Sequence, residues 1–277
     1  MVIQKNTRSG KVVLAGAGPG DPELITLKAW RYISKADVLI IDRLVDDSLL
    51  NDAKPEAKII FVGKEGGNPL STSQDTINEL LVEYAEQNKL VLRLKGGDVS
   101  FFSNIMGEIE TLVSNGIPYE IIPGVTAASG AAAYTGIPLT ARGLSSSVRF
   151  LSYTGKEVID DNVMRELAAT EDTLVFYMGS SQLPSLVHRL LSEGASHEKW
   201  VAAIEQATTP YQQVHAYPIH EFRGRMDGKK YTSPTLIIIG KVVQLYEKFN
   251  WWTSSESERT FFKPVTAQYQ NSDPLEV

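Results

Sequence analysis

The chain contains no cysteine. Disulfide staples, thiolate metal sites, iron–sulfur ligation and a cysteine nucleophile are excluded together. Histidine is scarce: His188, His197, His215 and His220 are the whole complement and none forms an HExxH pattern, so the usual zinc-hydrolase signature is missing. A basic excess is missing too. Acids number 33 against 27 Lys and Arg, a net charge of −6, whereas a nucleic-acid footprint shows as the opposite imbalance. No run approaches the roughly 18 apolar residues that suggest a membrane span. The first residues are polar and basic, without the apolar stretch of a secretory signal. The expectation is a soluble, cytoplasmic protein with no metal, no nucleic acid and no membrane partner.

What is present is ordinary globular material, 43% hydrophobic and 22% charged over 277 residues, which rules out wholesale disorder. At roughly 100–200 residues per domain, that length predicts two domains. In the first half, residues 12–15, 38–41, 59–62, 90–94 and 119–122 predict strands, apolar almost throughout as suits a sheet covered on both faces. Asp21, Pro22 and Glu23 predict a helix start: a capping side chain, a proline at the first position and an acid at the positive dipole end. Leu24, Leu27 and Ile33 keep the helical rhythm. A second helix is predicted from Ser73 to Asn88, with Ile77, Leu80, Leu81 and Tyr84 on one stripe. Such alternation predicts an α/β fold with a mostly parallel N-terminal sheet.

Residues 138–147, rich in turn formers, predict a linker. Beyond it, strands are predicted at 148–152, 173–177, 200–204, 212–217 and 235–239, with helices near 161–169 and 181–193. The closely spaced strands between 200 and 239 predict an antiparallel part and hence a mixed C-terminal sheet. The expected division is an N-terminal α/β domain at 11–140, a C-terminal α/β domain at 148–250 and a flexible tail at 252–277.

Glycine turns stand at the carboxyl ends of the predicted strands. Gly16-Ala17-Gly18-Pro19-Gly20-Asp21 departs from the dinucleotide fingerprint GxGxxG, because Asp21 takes the last glycine's place and would repel a pyrophosphate. A phosphate loop, a plain strand–helix turn and a loop for a non-phosphate ligand all remain open readings. Gly96-Gly97-Asp98 and Pro123-Gly124-Val125-Thr126 occupy equivalent places, Asp42 ends the second strand and Gly63-Lys64 the third. One such turn is only a turn. Five of them predict a ligand edge, since open α/β sheets bind outside their carboxyl ends. By composition alone, Met178 reads more readily as core filling than as a ligand contact, and the histidines read as structural or surface residues.

These motifs, in this order, resemble the tetrapyrrole methylase family. The matching stretches are residues 13–28, 36–45, 62–64, 93–98, 116–140, 176–179 and 234–240, within a likeness running from about 11 to 252. The resemblance is strongest to members acting on uroporphyrinogen III. It implies two α/β domains with S-adenosylmethionine in the cleft between them, a homodimer, and methylation of uroporphyrinogen III at C2 and C7. The product would be precorrin-2, on the way to sirohaem and cobalamin, and the donor would leave as S-adenosylhomocysteine. It further implies that Pro19, Gly96, Gly97, Asp98, Phe101, Thr126, Ala127, Met178, Ala207 and Thr235 contact the cofactor. Asp42 falls at the family's proton acceptor and Lys64 at its proton donor. Because the substrate is polyanionic, Lys64, Arg43, Lys95, Arg142 and Arg149 are candidate charge partners.

The chain departs from the family pattern in three places. Glu65 to Pro69 replace a run carrying Arg and His, Asn104 and Gly107 replace an Arg and a Glu within 99–107, and Ala141 replaces a His. Methylation of a later precorrin, or cofactor binding without turnover, are the alternatives these departures leave.

Overall fold

Val12 and Leu14 of β1 (Lys11–Gly16) face one way, Val13 and Ala15 the other, and all four are fully buried. Only a strand covered on both sides needs such an unbroken apolar run. The computed structural model describes residues 10–63, 68–154, 159–226, 228–255 and 259–265. It divides into two units, one running to Thr126 and resuming at Phe262, the other running from Ala127 to Phe261.

The first unit holds β1, β2 (Val38–Ile41), β3 (Lys58–Phe61), β4 (Leu90–Lys95) and β5 (Tyr119–Ile122), in the order β3-β2-β4-β1-β5 and all parallel. On one face, Val13, Leu39, Ile41, Leu92 and Leu94 pack under α1 (Leu27–Ile33). On the other, Val12, Leu14, Val38, Ile40 and Val91 meet α2 (Gln74–Glu86) and α3 (Ile105–Ser114) through Ile77, Leu81 and Leu112. Each carboxyl end therefore opens on the same edge.

The second unit contains α4 (Ala127–Thr135), β6 (Val148–Ser152), α5 (Asp161–Ala169), β7 (Thr173–Tyr177), α6 (Leu183–Ser192), β8 (Trp200–Glu205), β9 (Gln213–Pro218), α7 (Ile219–Met226), β10 (Thr235–Gly240) and α8 (Tyr246–Phe249). Its order is β6-β7-β10-β8-β9, with β6 and β7 parallel and the remaining pairs antiparallel. Phe176, Val201, Ala203 and Ile237 form one core with α5, α6 and α7. Val175, Ala202, Ile204 and Ile238 form the other with Ala128 and Ala131 of α4. No helix of the described residues is long and apolar enough to cross a membrane.

The predicted strands are all found, and the second sheet is mixed as expected. Three details differ. The helix signal at Asp21 produces only a single turn, Pro22–Leu24, capped by the Asp21 carboxylate on Glu23 N–H at 2.8 Å; α1 starts afresh from Thr26, whose hydroxyl accepts from Ala29 N–H. The units part at 126/127 and not at 138–147, because the small residues of α4 and Ile137 fill the second core. The segment read as a tail is partly built in: Trp252 packs on Tyr134 at 4.8 Å, while Phe262 and Val265 are buried.

Phe176 is fully buried and meets Tyr153 edge-on at 6.2 Å. Phe176→Ala should lower the unfolding free energy of the second unit by about 3–5 kcal/mol, measured by urea titration followed by tryptophan fluorescence.

Candidate active site

Three turns of the first unit touch main chain to main chain. A Cβ at Gly124 would lie 2.3 Å from the Gly97 carbonyl oxygen and 2.8 Å from Gly16 Cα, so neither neighbour leaves room for a side chain. Gly18 and Gly97 exchange N–H···O=C bonds of 3.2 and 2.6 Å, and Gly97 takes a φ of +69° that favours glycine. Asp98 fastens the assembly: its Oδ1 accepts from Ser100 N–H at 2.7 Å and its Oδ2 from Gly124 N–H at 2.8 Å. Pro19 lies buried in the turn after β1.

Behind this edge is a charge network. Strand alternation sends Val91, Arg93 and Lys95 toward α2 and α3, and β2 pairs Ile40 with Arg93, which sets Asp42 on the same side. Arg93 is wholly buried. It donates to Asp42 Oδ1 at 2.6 Å, to the Leu94 and Ile40 carbonyls at 3.0 and 3.3 Å, and to Glu108 Oε1 at 3.4 Å. Lys95 Nζ donates to the same Glu108 oxygen at 2.8 Å. Burial alone would lower the Arg93 pKa, but the charges of Asp42 and Glu108 outweigh it and hold the guanidinium above its ordinary value. Asp42 is thus a half-buried carboxylate at the sheet edge whose orientation is fixed by an arginine beneath it.

In the second unit the ends of β7 and β8 and the start of β10 share an edge. Three non-glycine residues there adopt left-handed backbone: Met178 (φ +59°), Gln206 (φ +48°) and Thr208 (φ +69°). Such strain gathers where a site has to be shaped. Met178 is exposed, contrary to its reading as core filler. The Gln206 loop is braced on every side: its N–H reaches the Pro234 carbonyl, its side chain bonds Arg259 carbonyl and Phe261 N–H, and Gln212 Oε1 accepts from Thr208 N–H at 2.8 Å. Ala207 is buried in this loop and Thr235 donates to the Thr232 carbonyl at 2.7 Å. Glu205, at the end of β8, is buried against His215 Nε2 at 2.7 Å, Lys229 and Thr232 N–H. Burial pushes its pKa up, yet His215, Thr232 and Lys229 prevail and bring it down to about 2.

Among the expected site residues, Pro19, Asp42, Gly96, Gly97 and Asp98 thus gather on the edge of the first unit. Phe101 is exposed just beyond Asp98, and Thr126 follows β5. Ala127 opens α4 in the second unit, whose edge carries Met178, Ala207 and Thr235. Lys64 lies outside the described residues. Arg93 and Glu108 escaped the reading of the sequence. Two cations alternating with leucines in an otherwise apolar strand, Arg93 and Lys95, are a signal that could have found Arg93 and the need for a buried acid beside it. Among the described residues no three His, Asp or Glu side chains gather as a metal site would require.

The family model described as Tetrapyrrole (Corrin/Porphyrin) Methylases matches residues 11–222. A siroheme synthase of Stutzerimonas stutzeri is 44% identical over 248 residues, 90% of this chain and 53% of that protein. Siroheme synthase 2 of Yersinia enterocolitica is 44% identical over 255 residues, 92% of this chain and 53% of that protein. The chain therefore spans about half the length of these curated relatives. The solved uroporphyrin-III C-methyl transferase of Thermus thermophilus, in complex with S-adenosyl homocysteine, superposes with a TM-score of 0.71 at 35% identity, covering 85% of this chain and 100% of that one. A cobalt precorrin-4 methyltransferase superposes at 0.74 with 26% identity, covering 84% and 95%.

Because Glu205 titrates near 2 when folded and near 4.5 otherwise, its stabilisation is complete above the unfolded value and is lost as pH falls from about 4.5 toward 2. Glu205→Gln should cost about 3 kcal/mol at neutral pH and flatten the acid limb of a stability–pH curve measured by denaturant titration.

Proposed function

The chain belongs to the tetrapyrrole (corrin/porphyrin) methylases, and on that premise we propose that it transfers methyl groups from S-adenosyl-L-methionine to C2 and C7 of uroporphyrinogen III, giving precorrin-2 for sirohaem or cobalamin synthesis. The observation that carries this reading is the match to uroporphyrin-III C-methyl transferase over that chain's entire length, at higher identity than the precorrin-4 enzyme reaches. The edge chemistry agrees. The carboxylates of Asp42 and Asp98 suit a cationic sulfonium, and Gly97, left-handed at φ +69°, keeps its turn free of a Cβ.

When bound, S-adenosylmethionine supplies a methyl group that is already activated. The protein's own task is alignment, which in the best intramolecular systems is worth about 7–11 kcal/mol. Pro19, Gly96, Gly97, Asp98, Phe101, Thr126, Ala127, Met178, Ala207 and Thr235 hold the donor in this reading. Asp42, oriented by Arg93, faces the positive charge that carbon attack leaves on the macrocycle and accepts the proton that is then lost. Lys64 is the proton donor. The working form is a homodimer, on the strength of the family resemblance.

A second reading, methylation of a later precorrin, draws on the 0.74 superposition with the precorrin-4 enzyme. It draws also on the segment 99–107, where Phe102 and Asn104 are left-handed and Phe101, Phe102 and Met106 are exposed.

Incubation with uroporphyrinogen III and the methyl donor, followed by mass and absorbance of the product, should register a gain of two methyl groups. No gain overturns the proposal, and methylation of a later precorrin instead would establish the second reading. Asp42→Asn keeps an oxygen for Arg93 but not the base. Its kcat should fall by about 10²–10⁴-fold with S-adenosylhomocysteine affinity by calorimetry unchanged; unaltered turnover would strip Asp42 of its role.

A further inference from the structure

Two of the five basic residues first considered as partners for substrate carboxylates are engaged elsewhere. Lys95 is buried on Glu108. Arg149 pairs with Glu166 at 2.6 Å and with Asp172. Arg142 lies exposed in the second unit's 140–147 segment. Arg43 differs from all of them. It is the second residue of a turn closed by Val45 N–H on the Asp42 carbonyl at 3.2 Å, so it follows the proposed proton acceptor directly. It is only 7% exposed, yet its Nε is buried without a hydrogen-bond acceptor and none of its nitrogens forms an ion pair with a described residue.

The neighbouring charges do not account for it. Asp42 and Glu108 balance Arg93 and Lys95. Asp46 is occupied in capping Ser48 N–H at 2.7 Å, Asp47 meets Lys263, and Asp98 accepts main-chain N–H groups. Among the described residues Arg43 is therefore a surplus positive charge, held out of water directly after Asp42. A buried guanidinium left unpaired is costly, since it forfeits its hydration and gains nothing in return. An anionic ligand would supply the missing counter-charge, and the planar fork of an arginine matches a carboxylate in particular.

We propose that Arg43 is a substrate-binding residue that receives a side-chain carboxylate of the tetrapyrrole, anchoring the macrocycle beside Asp42. This rests on the methyl-transfer reading given above, and it assigns the acidic arms of that substrate to a named receptor. The free protein then bears the cost of an unpaired charge that the bound protein does not. Removing the charge should relieve the empty enzyme while weakening the complex, a combination that a purely structural arginine would not produce.

The test uses the full chain and the variants Arg43→Met and Arg43→Lys. Arg43→Met should raise KM for uroporphyrinogen III about tenfold or more, the loss expected of a charge-assisted contact. Its S-adenosylhomocysteine affinity should stay that of the wild type, and its Tm should hold or rise. Arg43→Lys should fall between, keeping the charge without the fork. An unchanged KM in Arg43→Met overturns the proposal, and so does a lowered Tm accompanied by weakened S-adenosylhomocysteine binding. A wild type that turns over no uroporphyrinogen III refutes the methyl-transfer reading separately. Arg43 is then judged by fluorescence quenching with uroporphyrin III: tighter binding by wild type than by Arg43→Met supports the receptor, and equal binding refutes it.

Discussion

Arg93 carries a full positive charge on the central part of a buried strand, and the surrounding residues answer that charge one by one. Asp42 and Glu108 flank it, two main-chain carbonyls take two further donors, and Lys95 balances the second acid. A buried network of this kind adds little net stability, because desolvation offsets most of the attraction. Its value is directional. Arg93 is held by four bonds, so the Asp42 carboxylate is presented at the sheet edge in one orientation, and a carboxylate that has to meet a reacting carbon needs that more than it needs strength.

The two sheets reach similar edges by different means. In the first, parallel pairing alone delivers five carboxyl ends to one side, and glycine lets three of the turns come into main-chain contact. In the second, β10 runs against its neighbours, so the edge combines the ends of β7 and β8 with the start of β10. The left-handed positions of its turns are taken not by glycine but by Met178, Gln206 and Thr208. Bonds from Gln212, Arg259 and Phe261 hold the Gln206 loop in that conformation.

The strands β1, β2, β8 and β10 were legible because a strand buried on both faces leaves a continuous apolar run, while the more polar and exposed β5, β6 and β9 were legible from their β-branched and aromatic residues. Helix starts were less so. Asp21 is a genuine cap, but Thr26 caps the longer helix and the chain breaks between them. Helix α7 places only Ile219, Phe222 and Met226 in the core, too few turns for a periodicity to emerge. The unit boundary was hidden because Ala128 and Ala131 look like filler until a sheet is known to lie against them. At the candidate site, the glycine turns and Asp42 could be read directly. The burial of Arg93 could be read halfway, since alternation places it beside Lys95 on one face, but only the fold reveals that α3 covers that face with Glu108. Asp98 was read in part. Its carboxylate beside two glycines was legible as a candidate contact, but its bonds to Ser100 N–H and Gly124 N–H emerge only from the fold.

The late return of the chain has a consequence for synthesis. Phe262 and Val265 are buried, Asn68 donates to the Val265 carbonyl at 3.0 Å, and these last residues belong to the unit whose sheet is complete by Ile122. On the ribosome, domains generally form as they emerge. The bonds that Asn68 and Asp47 make to Val265 and Lys263 must wait until all of Ala127 to Phe261 has been translated. Completion of the earlier unit thus follows synthesis of the later one, although its sheet is the first to be made.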